Sequence, residues 1–237
     1  MNILILLTNN DAGGSNEYPP CLVDVDGTPL IEHVIKQVQA VRAARCIFAM
    51  CQHHVKRHHL NEVVHLLVPE AKIYEINIEP EGDACTALLS WGYLDKEQPL
   101  LIMSGIALIK DDINRILADF RIRDLDGGVV VFRSIHPRYA YVRLDENQQI
   151  IETADRRPIS QNACAEFFYF RNAGLFLDAA QDLIRKDVRS EGRFPISLVF
   201  NQMLLRQLRI GVYPIHKEQY VPRSQGLGQT GADKGAA

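Results

Sequence analysis

The sequence predicts one α/β domain with a Rossmann-like, mixed but mainly parallel sheet flanked by helices. Three observations predict it: a length of 237 residues, an ordinary globular composition, and short apolar runs that alternate with amphipathic segments. The hydrophobic share of 47% and the charged share of 23% are those of a globular chain that buries a sizeable core. Strand–helix–strand alternation is typical of right-handed βαβ units around parallel strands.

The first half of the chain supplies the parallel pattern. Its clearest element is a helix at residues 30–41, because Thr28 can cap it, Pro29 suits its first turn, and apolar residues recur at helical spacing. That apolar face consists of Leu30, Ile31, Val34, Ile35 and Val38. The remaining predictions are strands at residues 2–7, 46–50, 72–78 and 100–103, a polar helical stretch up to residue 67, and helices at 84–93 and 112–120.

The second half is predicted to be more antiparallel. Alternating strand-like runs occupy residues 129–134, 139–144, 150–154 and 167–170, with a hairpin turn at 145–147, helices at 175–186 and 196–208, and a last strand at 211–215. Residues 223–237 are glycine-rich and lack apolar anchors, which favours a flexible C-terminal tail. We therefore predict a single domain over residues 1–222.

Charge and cysteine usage exclude several classes of protein. The net charge is −3 and the basic residues are dispersed, so nucleic acid is not an expected partner. No run approaches the roughly 18 apolar residues of a membrane span, and the N-terminus reads as a strand and not as a signal peptide, so we expect a cytoplasmic protein. The five cysteines form no CxxC pair, which favours reduced thiols without a structural metal.

Six segments carry a resemblance to a known family. They are VDVDGTPLIEHVI (23–35), FAMCQHH (48–54), EGDACTALL (81–89), PLLIMSG (99–105), DGGVVVFRSIHPRYAYVRLDENQQIIETADRRPIS (126–160) and NACAEFFYF (162–170). In order and spacing they resemble bacterial sugar-phosphate nucleotidyltransferases, especially the glucose-1-phosphate thymidylyltransferases and similar pyrophosphorylases of capsule and lipopolysaccharide clusters. The resemblance covers nearly the whole chain except the tail, and it implies the nucleotide-diphospho-sugar transferase fold.

The resemblance also implies a ligand pocket for a nucleotide or sugar phosphate. The residues that it assigns to this pocket are Thr8, Asn9, Gly13, Gly14, Gly82, Asp83, Ser104, Gly105, Asp155, Arg156 and Glu166. The backbone amides of the Gly13–Gly14 turn are the group expected to bind an anion, although such a pair is more often only a tight turn.

The chain departs from the family pattern where that family handles phosphate and metal. The glycine loop after the first strand carries no arginine, and Pro20–Cys21 stands where the family has Lys-Pro. Ile106 stands where the family has its magnesium-binding aspartate, Glu166 where it has glycine, and Asp155–Arg156 where it has Glu-Lys. No catalytic residue and no metal ligand is therefore assigned, and Mg²⁺ is expected only if the chain is active.

Charge alone leads to the same expectation. Before Lys36 the sequence contains five carboxylates and no lysine or arginine, and they are Asp11, Glu17, Asp24, Asp26 and Glu32. Nucleotidyl transfer needs cations to neutralise charge on the phosphoryl oxygens, and each lost contact of this kind costs about 10²–10³ in rate. We therefore expect a pocket walled by carboxylates and an aliphatic side chain, which cannot hold a magnesium triphosphate.

Other chemically suggestive residues have plainer interpretations. His54 and His58 are spaced as metal ligands on a helix, but an exposed polar helix whose histidines charge below about pH 6.5 is favoured. Asp24 and Asp26 resemble a DxD motif, but the outward face of a short strand before the turn at Gly27 is favoured.

Two of the cysteines, Cys85 and Cys164, lack a base nearby in sequence, which argues against a catalytic thiol. The aromatic residues Trp91, Tyr93, Tyr139 and Tyr141 are interpreted as packing.

Three hypotheses follow. The leading one is a diverged nucleotidyltransferase-like protein with lost or much reduced activity, which acts by binding, as a homodimer or beside an active partner of a polysaccharide pathway. The second is a working enzyme with relocated groups, using Arg156, Arg157 or Lys110 as cations and Asp83 or Glu166 for the metal. The third is a structural or regulatory subunit without a small ligand.

Overall fold

A computed structural model describes residues 1–8, 18–77 and 80–221, and within them thirteen strands and seven helices alternate along the chain. The strands are β1 (Asn2–Leu7), β2 (Asp24–Val25), β3 (Thr28–Pro29), β4 (Arg45–Cys51), β5 (Lys72–Ile76), β6 (Leu100–Ser104), β7 (Leu108–Ile109), β8 (Gly127–Arg133), β9 (Tyr141–Leu144), β10 (Ile150–Ala154), β11 (Asn162–Phe170), β12 (Ile210–Pro214) and β13 (Tyr220–Val221). The helices are α1 (Leu30–Gln39), α2 (Gln52–His58), α3 (Leu60–Leu67), α4 (Asp83–Leu89), α5 (Ile113–Ile122), α6 (Ala173–Arg185) and α7 (Val199–Leu205). Short 3₁₀ turns lie at Pro20–Leu22, Trp91–Tyr93, Ile196–Leu198 and Lys217–Gln219.

The main sheet of the described residues has nine strands in the order β10-β9-β11-β6-β1-β4-β5, and β8 pairs with both β11 and β12. Strand β1 runs parallel to β4 and β6, β4 runs parallel to β5, and β12 runs parallel to β8. Strand β11 is antiparallel to β6, β8 and β9. The parallel ladders together register more residue pairs than the antiparallel ones, so the predicted Rossmann-like α/β sheet is confirmed, with its antiparallel part in the second half.

Helices cover both faces of this sheet because its central strands are apolar on both sides. In β1, Ile3 and Ile5 point into the core cluster that includes α1, α3 and α5, whereas Leu4 and Leu6 point into the cluster that includes α4, α6 and α7. Strands buried on both faces read as continuous apolar runs, which is what β1 does. The carboxyl ends of β1 and β6 therefore open at one edge of a rigid core.

The predicted elements mostly exist, but several bounds were wrong. Thr28 does not cap α1, because it pairs with Val25 in a hairpin closed by Asp26 and Gly27, both at positive φ. The polar helical stretch is broken into α2 and α3 by His59, whose φ of 51° is left-handed. The helix predicted at 196–208 is a 3₁₀ turn followed by α7. Helix α4 likewise ends at Leu89, before a separate turn.

The C-terminal part contains one success and one omission. The hairpin turn between β9 and β10 is confirmed, since the Asp145 carboxylate accepts hydrogen bonds from the backbone amides of Asn147 and Gln149. Strand β13, which pairs with β7, was missed because two residues are too short to show a period. The predicted tail at 223–237 lies outside the described residues. In the described part of the chain, no helix has the length and apolarity that crossing a bilayer requires.

Candidate functional site

A cleft of ≈ 880 Å³ lies at the carboxyl ends of β1 and β6. Of the predicted pocket residues, the cleft brings together Thr8, Gly82, Asp83, Ser104, Asp155, Arg156 and Glu166. Gly105 does not line it, and Asn9, Gly13 and Gly14 lie outside the described residues. A crevice outside the carboxyl ends of parallel strands is where open α/β sheets bind ligands.

The lining at the ends of β1 and β6, the neutral wall, consists of Leu6, Thr8, Ser104 and Ile106. The Ser104 hydroxyl accepts a hydrogen bond from the Ile106 amide at 3.3 Å. Thr8 is 6% exposed, and its Oγ1 has no hydrogen-bond partner among the described residues. Gly105 serves packing, because a Cβ there would lie 2.2 Å from Leu7 Cδ2, and its amide donates to the Leu6 carbonyl.

The floor of the cleft is the turn that enters α4. Gly82 has φ 121° and ψ 170°, a conformation that is essentially restricted to glycine. A Cβ at this position would lie 2.5 Å from the Phe194 carbonyl oxygen. Gly82 is therefore required for the close approach of two backbone segments, and the next residue, Asp83, lines the cleft.

The charged residues that line the cleft, the charged wall, are Arg138, Asp155, Arg156, Glu166, Glu191 and Arg193. Arg156 and Glu191 form an ion pair at 3.0 Å, and the Arg138 guanidinium lies 4.6 Å from the centre of the Tyr139 ring. The expected carboxylates and aliphatic side chain line the described part of the cleft, but three arginines, Arg138, Arg156 and Arg193, line it as well. Of the cations named for relocated chemistry, Arg156 lines the cleft, whereas Arg157 and Lys110 do not.

Glu166 has a φ of 53°, in the left-handed region, at an irregularity in the pairing of β11 with β8. Glycine is the residue that adopts this conformation without strain, and glycine is what the resemblance places there. The backbone thus keeps a glycine-type bulge while the side chain is an exposed carboxylate that lines the cleft. Burial, and secondarily Glu166, raise the pKa of the neighbouring Tyr220.

Three residues of the charged wall were not predicted to lie in the pocket: Arg138, Glu191 and Arg193. The Glu191–Gly192 pair is a turn signal, but no sequence pattern places that turn beside Gly82. Arg138 follows a strand in a polar loop, and tertiary contacts bring that loop to the cleft: the pairing of β9 with β11 and the hydrogen bond from the Arg156 amide to the Tyr139 carbonyl.

The resemblance places the family's magnesium ligand at Ile106. Ile106 has no ligand atom, and no group of three histidine, cysteine, aspartate or glutamate side chains in the described ranges is arranged to hold a metal. The DxD interpretation also has no support, since Asp24 accepts a hydrogen bond from the Gly27 amide and Asp26 occupies the turn itself, not the strand face.

The histidine cluster differs from the exposed helix that was predicted. His54 is 5% exposed, and its Nδ1 has no hydrogen-bond partner in the described parts of the chain. Burial, with smaller contributions from His53 and His58, lowers the pKa of His54 from 6.5 to about 4, so the prediction that it charges below pH 6.5 is wrong.

The cysteines were predicted to be reduced thiols without a catalytic role. None of the five cysteines forms a disulfide, and burial raises the pKa of both Cys85 and Cys164, which keeps them as thiols. A thiol is a poor nucleophile compared with its thiolate.

No protein-family model matches the chain, and no curated protein matches its sequence. Solved structures do match. A nucleoside-diphosphate-sugar pyrophosphorylase from Vibrio cholerae RC9 is 17% identical, with a TM-score of 0.75 over 94% of this chain and 95% of that one. The inositol-1-phosphate CTP transferase from T. maritima is 14% identical, with a TM-score of 0.72 over 96% and 91%.

A third match is HddC from Yersinia pseudotuberculosis complexed with GMP-PN, which is 14% identical, with a TM-score of 0.61 over 95% of this chain and 94% of that one. Identities this low show the fold alone. The resemblance read from the six segments is confirmed at that level, and the chain has a nucleotidyltransferase-like fold.

Proposed function

We propose that the chain binds a nucleotide sugar or a sugar phosphate in the cleft and has lost most or all NTP:sugar-1-phosphate nucleotidyltransferase activity. It acts as a binding or regulatory protein of nucleotide-sugar or polysaccharide metabolism in the cytoplasm. One observation carries the proposal: arginines line the cleft, while Ile106 stands where a metal ligand is expected.

Arginine suits this role because its guanidinium presents several donors to phosphate oxygens and stays charged. Arg138 and Arg156 come from different loops, so a phosphate between them contacts two elements of the fold. Tyr139 and Tyr220 add buried aromatic surface beside the arginines, with ring centres 6.1 Å apart. These groups bind and orient an anionic sugar ligand without supplying a metal.

The names of the structural matches support the same ligand class. One is a nucleoside-diphosphate-sugar pyrophosphorylase and another is an inositol-1-phosphate CTP transferase. Assembly with a second copy or with an active partner enzyme stays a prediction.

Binding is tested by thermal unfolding with a panel of ligands: UDP-glucose, dTDP-glucose, GDP-mannose, glucose 1-phosphate and, as the uncharged control, glucose. A ligand that binds the folded chain raises its Tm as RT ln(1 + [L]/Kd). We expect a concentration-dependent rise for at least one phosphorylated ligand and none for glucose. If no phosphorylated ligand shifts the Tm, the proposal fails and a structural subunit without a small ligand is favoured.

Activity is tested by incubating the protein with each NTP, Mg²⁺ and sugar 1-phosphates and measuring pyrophosphate. We expect little or no release above the enzyme-free blank. Robust release would contradict the loss of activity and support the second candidate, a working enzyme with relocated groups, which the placement of Asp83, Arg156 and Glu166 in one cleft favours.

A further inference from the structure

A tight hairpin closes one end of the cleft. Ser190 and Arg193 exchange both backbone hydrogen bonds at 2.9 Å, and the two residues between them, Glu191 and Gly192, have φ values of 47° and 77°. Two positive φ values at the tip are those of a two-residue turn that matches the twist of the flanking chain. The tip therefore has a defined conformation.

The hairpin is fixed at its base to the floor of the cleft. The Phe194 amide donates to the Glu81 carbonyl at 2.6 Å, and the Ala84 amide donates to the Phe194 carbonyl at 3.0 Å. Arg189 forms an ion pair with Glu81 at 2.8 Å and lies over the Phe194 ring at 4.2 Å. The base cannot shift without breaking these contacts. The contacts therefore fix the position of the hairpin tip relative to the floor of the cleft.

At the tip, Glu191 Oε2 lies 3.0 Å from Arg156 Nη1. Arg156 follows β10 and is itself at a φ of 52°, so two turns from distant parts of the chain present opposite charges to each other. Both side chains line the cleft, and both remain accessible, with 43% of the arginine and 63% of the glutamate side chain exposed. A ligand that enters the cleft can reach this pair.

We propose that Glu191 is a specificity-determining residue: its carboxylate occupies the Arg156 guanidinium in the free protein and yields only to an anionic group of the ligand. The inference rests on the proposed function and adds a selection rule to it. A phosphate competes for the guanidinium because it is an anion with several acceptor oxygens, whereas a neutral sugar hydroxyl does not displace a carboxylate. The pair therefore disfavours unphosphorylated sugars.

The expected effect follows from the exposure of the pair. Accessible ion pairs contribute about 0.2–1 kcal/mol, so removing the competing carboxylate tightens anion binding by up to about fivefold. The gain is larger at low ionic strength, because salt screens the repulsion between Glu191 and an incoming anion.

Isothermal titration with inorganic pyrophosphate measures this effect in E191Q and in wild type, at about 20 mM and about 300 mM salt. The matched control is E146Q, which removes the same charge from an exposed turn outside the cleft. We expect tighter pyrophosphate binding by E191Q, by about two- to fivefold at low salt, and unchanged binding by E146Q. Equal affinities of E191Q and wild type, or no measurable binding by E191Q, would overturn the proposal.

The R156Q variant shows whether Glu191 acts by competing with pyrophosphate for Arg156 or only by repelling the anion through its charge. In R156Q, the additional change to E191Q is expected to alter pyrophosphate affinity by less than half of its effect in the wild-type background. An equal effect in both backgrounds overturns the role of the pair.

Failure of the proposed function gives a different result. If E191Q gains pyrophosphate affinity but no nucleotide sugar or sugar phosphate raises the Tm of the wild-type protein, the specificity role stands and the proposed ligand class falls. If nucleotide sugars bind E191Q and wild type equally, the ligand class stands and the specificity role falls.

Discussion

The neutral wall and the charged wall of the cleft are built from different kinds of structure. The neutral wall lies at the ends of β1 and β6, parallel strands whose side chains are buried on both faces. The charged wall lies on loops and on an irregularity of the antiparallel part. Residues on buried strands are constrained by the core, whereas loop residues change with little cost to the fold. The comparison therefore teaches that the charges of this cleft come mainly from the loops, the part of the structure that the core constrains least.

Positive φ values occur in the charged wall and not in the neutral wall. Three residues of the charged wall have positive φ values although none is glycine: Arg156 at 52°, Glu166 at 53° and Glu191 at 47°. Such conformations cost roughly 1–3 kcal/mol each when the residue is bulky and concentrate at binding sites. In the neutral wall, none of Leu6, Thr8, Ser104 and Ile106 has a positive φ. Three of the six charged-wall residues thus lie at left-handed positions, while seven further non-glycine residues with positive φ lie elsewhere in the described chain.

The largest expected effect comes from the floor that joins the two walls. Gly82→Ala places a Cβ 2.5 Å from the Phe194 carbonyl at a φ that alanine avoids, so we expect a loss of about 2–5 kcal/mol in the free energy of unfolding. Chemical denaturation measures it. The control is Gly92→Ala, where a Cβ has no neighbour within 4 Å and where we expect a change below about 0.5 kcal/mol. A G82A protein as stable as G92A would contradict the required close approach.

The next effect concerns the parallel half, where His54 lies on α2. Its pKa is about 4 when folded and 6.5 as an unperturbed group, so the unfolded chain binds the proton first as the pH falls. The stability that depends on a neutral His54 is complete above pH 6.5 and is lost as the pH falls toward 4, up to about 3 kcal/mol.

Denaturation of the wild type at pH 7 and at about pH 4.5 measures the loss. His54→Leu is expected to remove most of it, while H65Q, a change at an exposed histidine, is expected to retain it. If H54L loses as much stability between pH 7 and about pH 4.5 as the wild type does, another group is responsible.

The two walls are compared directly by ligand affinity. Arg138→Gln removes a cation of the charged wall and is expected to weaken binding of the phosphorylated ligand found by thermal unfolding about tenfold, because charge-assisted hydrogen bonds contribute about 1.5 kcal/mol or more. Ile106→Val keeps the neutral wall apolar and is expected to change the affinity less than about twofold. Titration calorimetry measures both.

The control for the loss of charge is Arg157→Gln. Arg157 pairs with Glu152 at 3.3 Å and does not line the cleft, so its removal is expected to leave the affinity unchanged. If I106V weakens binding more than R138Q does, the ligand anion lies against the neutral wall and the comparison is reversed.

Sequence patterns predicted the elements that depend on buried periodic residues. Strand β10 has the predicted bounds, and α1 has its predicted apolar face, because burial selects apolar residues at fixed spacing. Gly82 and Ser104 were placed in the pocket through the resemblance. Patterns did not predict that Arg138 and Glu191 share a cleft, since such proximity arises from tertiary packing of loops. They also gave no sign of the break at His59, where a left-handed residue follows an ordinary helical sequence.

The smallest expected effect tests the strain at Glu166. Both Glu166→Gly and Glu166→Ala remove the carboxylate, but only glycine relieves the left-handed backbone, whose cost for an L-residue is about 1–2 kcal/mol. Glycine also increases the entropy of the unfolded chain, which offsets about 0.4–1 kcal/mol of that gain. We therefore expect E166G to be more stable than E166A by about 0.5–1 kcal/mol in chemical denaturation. If E166A is the more stable of the two, the bulge relaxes to an ordinary strand conformation, and Glu166 then owes its place in the charged wall to local flexibility and not to a fixed glycine-type bend.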